Sequence, residues 1–186
     1  MNKTTIIAII FLLTMAVFPF LVDSAWLGIG ITFLVFAVVA FSQDIILGRA
    51  GIFNMGHAIF FGIGAYTTAI LNVHFGFEII ATVPFAIILP IIISILLAGP
   101  IIHLRGDYLL VATIGFNIIF EQVLKNNVFD VTGGPSGIFG IDVVRIFGYE
   151  LYSDTAIYYI AFGLLLITLF IIRNLDNSKY GRALYY

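Results

Sequence analysis

Few side chains in this sequence could do chemistry, so each can be weighed by its type and spacing. Asn54 and His57 stand together in a glycine-rich apolar stretch, while Thr113, Asn117, Glu121 and Lys125 recur every four residues in another. A spacing of four keeps side chains on one helix face, making the second set a polar stripe that must be buried or wetted. Ionisable groups within membrane segments usually face a cavity or a partner, which leaves two uses open. Asn54 and His57 either line a solute pathway or make an interhelical hydrogen bond near a helix start. Glu121 either joins such a pathway with Thr113 or pairs with Lys125, an i,i+4 arrangement with the acid on the N-terminal side. Asn117 sits deeper, where a cavity or helix contact is favoured.

Enzyme chemistry finds little support. Gly134-Pro135-Ser136-Gly137 spells the G-x-S-G of an intramembrane serine protease, but a nucleophilic serine needs a base within hydrogen-bond reach. No histidine follows His103, and Ser136 lies in a glycine-rich stretch beside a proline. The sequence has no cysteine, no H-E-x-x-H and no G-x-x-x-x-G-K-[ST] loop, so cysteine-ligated metal and nucleotide phosphates have no recognisable holder. The expectation is a non-enzyme with no catalytic residues, no metal and no cofactor of its own.

These residues must be positioned within a bilayer. The 186 residues are 62% hydrophobic and 10% charged, with a mean hydropathy of +1.16, against roughly 25% charged in soluble domains. A formal charge of -2 without a basic block excludes nucleic acid as a partner. About 20 apolar residues cross a bilayer, and charged or turn-forming positions divide the sequence into six such stretches, 4–22, 25–47, 51–73, 79–102, 108–124 and 156–172. An all-α polytopic bundle of about six helices in a single membrane domain is therefore expected. The first stretch imitates a signal peptide, but it exceeds the usual apolar region of roughly 7–15 residues and is read as a span.

Residues 125–155, rich in glycine and acids, form the one sizeable loop, in which 142–151 could pair as a hairpin around Phe147-Gly148. With both termini inside, six of the eight basic residues, Lys3, Arg49, Arg105, Arg173, Lys179 and Arg182, become cytoplasmic. That matches the positive-inside rule and makes 125–155 an outer loop. Within the third span, Gly56, Gly62 and Gly64 would let helices approach closely. Helical spacing there puts Asn54, His57, Phe61, Gly64 and Thr68 on one inward face. In the fourth, Pro90 removes an internal hydrogen bond, and a kink near Ala86 is expected.

Four motifs now stand in order. Residues 48–66 read GRAGIFNMGHAIFFGIGAY; 104–108 read LRGDY, with Thr113 and Phe116 following; 132–138 read TGGPSGI; and 178–183 read SKYGRA. Together they resemble the signatures of branched-chain amino acid ABC transporter permeases of the LivM type. The resemblance implies a multi-pass permease of the bacterial cytoplasmic (inner) membrane, moving leucine, isoleucine, valine or a relative. Implied partners are a second, LivH-like permease subunit, two cytoplasmic ATPases that bind the ATP, and an extracytoplasmic solute-binding protein. That protein would dock on the outer loop, with Thr132, Gly133, Gly134 and Gly137 as candidate docking residues. The resemblance covers nearly all of this sequence but only the N-terminal part, somewhat over half, of the expected permease. It therefore implies a truncated form without the ATPase-coupling segment beyond Leu184-Tyr185-Tyr186. The competing expectation is an ATP-independent channel or secondary carrier for a small polar solute, using the 113/117/121 stripe.

Overall fold

The computed structural model describes residues 3–52, 54–101, 103–104, 106–146, 149–179 and 181. Arg105 of the LRGDY motif, the Phe147-Gly148 turn, Tyr180, Arg182 and Ala183 of SKYGRA, and Leu184 to Tyr186 lie outside them. Six α-helices follow in order: α1 (Lys3–Val17), α2 (Ser24–Asp44), α3 (His57–Phe75), α4 (Ile79–Ile101), α5 (Asp107–Lys125) and α6 (Asp154–Asn177). The protein is a polytopic helical membrane protein. Five helices, α2 to α6, are long and apolar enough to cross a bilayer among the described residues. The shorter α1 is continued by a 3-10 turn, Phe18–Phe20. At 1.5 Å per α residue and 2.0 Å per 3-10 residue the two reach about 28 Å.

The helices form two compact units, one from residues 1–45 and 151–186 and one from residues 46–150. In the first, α2 packs along α6 around Leu34, Tyr158 and Leu165, which are almost fully buried. Tyr158 also finishes α1. Its hydroxyl donates to the Met15 carbonyl at 2.8 Å and the neighbouring Tyr159 hydroxyl to the Ala16 carbonyl at 3.0 Å. Carbonyls in a last helical turn have no partner within their own helix, and in hydrocarbon each unpaired group costs several kcal/mol. Phe18 stacks on the Tyr158 ring with centroids 5.9 Å apart, and Gly30 leaves the room, since a Cβ there would lie 2.9 Å from Phe18 Cε1.

In the second unit, α3 and α4 form an antiparallel hairpin joined by Gly76–Glu78. Gly76 adopts φ +66 and its N–H donates to the Asn72 carbonyl, while the N–H of Phe77 reaches back to the Leu71 carbonyl at 3.1 Å. This left-handed cap ends α3 and returns the chain. α4 stays helical through Pro84, Pro90 and Pro100. Gly64 packs against the Ala86 carbonyl oxygen, 3.4 Å from where its Cβ would stand, and that carbonyl is the one Pro90 deprives of its i+4 donor. After α5, residues 145–146 (β1) and 149–150 (β2) pair antiparallel, Arg145 opposite Glu150, and the two side chains form an ion pair at 2.9 Å.

Three helices differ from the sequence expectation: α1 ends at Val17 instead of 22, and α3 and α6 depart as follows. α3 begins at His57 instead of 51, because Gly51 takes φ +63, outside the helical region. α6 runs from Asp154 to Asn177, beyond 156–172 at both ends, since hydropathy delimits the apolar stretch while backbone hydrogen bonding continues into polar residues.

Candidate functional site

The late start of α3 leaves residues 51, 52 and 54–56 irregular between the wide turn that continues α2, Ile45–Arg49, and α3 itself. Three hydrogen bonds organise the segment. The Ile52 N–H donates to the Ile46 carbonyl at 3.0 Å, the Gly56 N–H to Asn54 Oδ1 at 2.7 Å, and the Met55 N–H to Thr113 Oγ1 of α5 at 3.1 Å. Thr113 passes its own hydroxyl proton to the Leu110 carbonyl at 3.0 Å and is almost completely buried. Gly56 lies between the two polar partners, where a Cβ would stand 3.1 Å from Asn54 Oδ1 and 3.6 Å from Thr113 Cβ.

The segment borders a half-open cavity of about 610 Å³ between α3, the last turns of α4 and the first turns of α5. Gly51, Asn54, Gly56, Ser94, Gly106 and Thr113 supply its polar lining, and Ile59, Phe60, Leu97, Ala98, Ile101 and Phe116 are among its apolar walls. Its size falls within the range of about 300–1,000 Å³ usual for small-molecule sites. None of the described lining residues carries a charge, so among them a bound solute would meet peptide dipoles and an amide beside an apolar wall.

The sequence candidates are placed as follows. Asn54 lines the cavity but is not on α3, so the proposed inward face of Asn54, His57, Phe61, Gly64 and Thr68 is corrected. The buried stripe of α3 is Ile59, Ile63 and Thr67, whereas Phe61 is 44% exposed. Branched aliphatic side chains serve both core and lipid in a membrane protein, so polarity alone misassigned the face. His57 is the half-buried first residue of α3 and lies outside the cavity lining. The α5 stripe divides along its length. Thr113 lines the cavity, Asn117 is half-buried one turn on and outside the lining, and Glu121 pairs with Lys125 at 2.5 Å with both side chains more than half exposed. Such an exposed pair contributes about 0.3–0.5 kcal/mol.

Gly62 packs on α5, its Cβ position 2.8 Å from Phe120 Cε1. In the loop after α5, Thr132 and Gly134 are buried, Gly133 is exposed and Gly137 half-buried. Asn127 Oδ1 accepts from the N–H groups of Thr132 and Gly133, each at 2.9 Å, and Thr132 Oγ1 donates to the Leu124 carbonyl at 2.9 Å. Gly133, Gly134 and Gly137 all have φ between +62 and +73, and a Cβ on Gly133 would overlap the Gly137 carbonyl. These residues fold the loop onto the end of α5, leaving Pro135, Ser136 and Phe139 exposed on its surface.

Sequence reasoning missed Ser94, Leu97 and Ala98 on α4 and the buried Asn72 on α3. Asn72 Oδ1 accepts from the Asp142 N–H and its Nδ2 donates to the Phe77 carbonyl, both at 2.8 Å. A polar side chain one turn before a glycine cap was the available signal for Asn72. For α4 it was Ser94 followed by Ala98-Gly99-Pro100.

Comparison with known proteins adds an independent finding. Residues 25–186 match the family model described as branched-chain amino acid transport system, permease component. The chain is 32% identical over 197 residues to the high-affinity branched-chain amino acid transport system permease protein LivM of Escherichia coli K12, and 31% identical over 196 residues to the protein of that name from Salmonella typhimurium LT2. Each match covers 92% of this chain and 46% of the relative, so the chain spans slightly under half the length of these curated relatives. No solved structure matches.

Proposed function

The chain belongs to the family of branched-chain amino acid transport system permease components, and from that premise we propose that it is a membrane-spanning subunit of an ATP-driven importer of branched-chain amino acids. The observation that carries the reading is the cavity between α3, α4 and α5, bordered by Gly51, Ile52, Asn54 and Gly56 of the irregular link before α3. A link between helices exposes peptide groups that a continuous helix would bond internally.

The chemistry suits a small amphipathic solute. Its branched side chain would lie against Ile59, Leu97 and Phe116, and its polar end would meet the peptide groups of Gly51, Asn54, Gly56 and Gly106. Thr113 acts by positioning, since its hydroxyl is committed to Met55 and Leu110. The chain works without catalytic residues. A second permease subunit, two cytoplasmic ATPases that bind ATP and an extracytoplasmic solute-binding protein complete the assembly in a bacterial cytoplasmic membrane. Both termini are inside, which puts the cavity mouth on the cytoplasmic face and residues 125–155 outside.

The test is uptake of radiolabelled leucine by membrane vesicles containing the chain and its partner subunits, with and without the ATPases. Uptake that requires ATP and the ATPases is the expected result. Uptake that persists without them would overturn the importer reading in favour of a channel or secondary carrier.

A further inference from the structure

The loop after α5 contains a stretch whose composition suits hydrocarbon better than water. Residues 138–144 read IFGIDVV, five of the seven apolar and one charged, and the stretch has no helix or strand of its own. Phe139 is 75% exposed and Ile141 48%. Asn72 fixes the level at which they lie. Its Nδ2 donates to the Phe77 carbonyl and its Oδ1 accepts from the Asp142 N–H, both at 2.8 Å, so one side-chain amide ties residue 142 to the turn between α3 and α4. Asn72 stands one turn before the capping Gly76, about 6 Å inside the end of the helix. The 19 residues of α3 rise about 28 Å, close to the thickness of the hydrocarbon core, which puts its last turn at the boundary between hydrocarbon and headgroups. The Asp142 amide is held at that boundary instead of standing clear of it, and the next element, β1, touches α4.

We propose that residues 138–142 lie in the membrane–water interface, with Phe139 and Ile141 inserted among the lipids beside the α3–α4 turn. The partner of this surface is the bilayer itself. The lipid-facing surface it would extend is already apolar up to that level, since Phe75 and Phe77 on either side of Gly76 are both exposed. Amphipathic segments settle about 5–10 Å into the headgroup and acyl boundary, the level at which Asn72 holds the stretch. That level also accommodates the exposed Asp142, whose carboxylate hydrocarbon would exclude. Ser136, exposed in the turn folded onto the end of α5, is left as the part of the loop that faces water. The inference needs only that α3 and α4 cross a bilayer and stands apart from the solute the chain carries.

Spin labelling tests it, because the sequence contains no cysteine. Phe139→Cys, Ile141→Cys and Ser136→Cys each carry one nitroxide, and the full chain is reconstituted with cysteine-free partner subunits in liposomes of phosphatidylcholine and phosphatidylglycerol. Power-saturation measurements compare collisions with oxygen, which concentrates in lipid, and with a neutral nickel chelate, which stays in water. The ratio of oxygen to nickel collisions at 139 is expected to be at least about fivefold that at 136, and Ile141→Cys serves where Phe139→Cys does not fold. A ratio no higher than at 136 would overturn the proposal, and if nickel collisions then fell on adding the extracytoplasmic solute-binding protein, the stretch would be a docking surface for that protein instead. Shielding from both reagents would also overturn it, because protein and not lipid would then cover the stretch.

Discussion

The N–H of Met55 donates to Thr113 Oγ1 at 3.1 Å across 58 positions of sequence, fastening the irregular start of one helix to the buried face of another. Every polar group of the pair is used, because Thr113 donates onward to Leu110. A Thr113→Val variant keeps the shape and removes the acceptor, leaving a buried amide that costs about 1–3 kcal/mol. The purified protein should lose thermal stability and leucine uptake together, and Thr113→Ser should restore both. Wild-type melting and uptake in Thr113→Val would remove Thr113 from the positioning role.

Gly62 and Gly64 differ in the room they leave. A Cβ at Gly62 would stand 2.8 Å from the Phe120 ring, whereas one at Gly64 would stand 3.4 Å from the Ala86 carbonyl, an ordinary contact. Gly62→Ala should therefore destabilise by about 1–3 kcal/mol through overpacking, and Gly64→Ala should be nearly neutral. Phe120→Leu should rescue Gly62→Ala. Detergent-melting curves of the four proteins check the order, and equal losses at the two glycines would contradict this packing.

Asn72 holds residues 139–144 through the Asp142 amide and closes the α3 cap through the Phe77 carbonyl. Asn72→Asp keeps an acceptor but loses the donor, while Asn72→Leu loses both. Hydrogen exchange at the Asp142 amide should be fastest in Asn72→Leu and intermediate in Asn72→Asp. Unchanged exchange in Asn72→Leu would mean that the loop is held elsewhere.

Gly133 and Gly137 both adopt positive φ, but only at Gly133 would a Cβ overlap backbone. Gly133→Ala should open the loop after α5 and raise its protease sensitivity more than Gly137→Ala, which meets strain without a clash. The reverse order would show that backbone conformation outweighs crowding there.

The bundle of about six apolar helices was legible because hydrocarbon thickness sets a length that the apolar stretches of the sequence display directly. The irregular backbone of residues 51, 52 and 54–56 before α3 was not, since hydropathy does not distinguish a helix from an irregular segment of equal apolarity, and the left-handed backbone of Gly51 has no separate signature. Asn54 and Thr113 were singled out by residue type and both line the cavity, yet the hydrogen bond between their segments depends on a pairing of distant helices. The inward face of α3 was misread because isoleucine at 59 and 63 packs against protein as readily as against lipid. Phe116 and Leu97 escaped notice as site residues for the same reason: an apolar cavity wall has the composition of a core.

Filling the cavity tests the central claim most directly. Ala98 lines it, while Ile87, on the same helix, is 57% exposed and outside the lining. ATP-dependent leucine uptake is measured in vesicles carrying Ala98→Trp or Ile87→Trp, with the amount of assembled complex measured in parallel. Loss of uptake in Ala98→Trp at an undiminished level of complex, with uptake retained in Ile87→Trp, is the result expected of a solute-conducting cavity. Wild-type uptake in Ala98→Trp would contradict it.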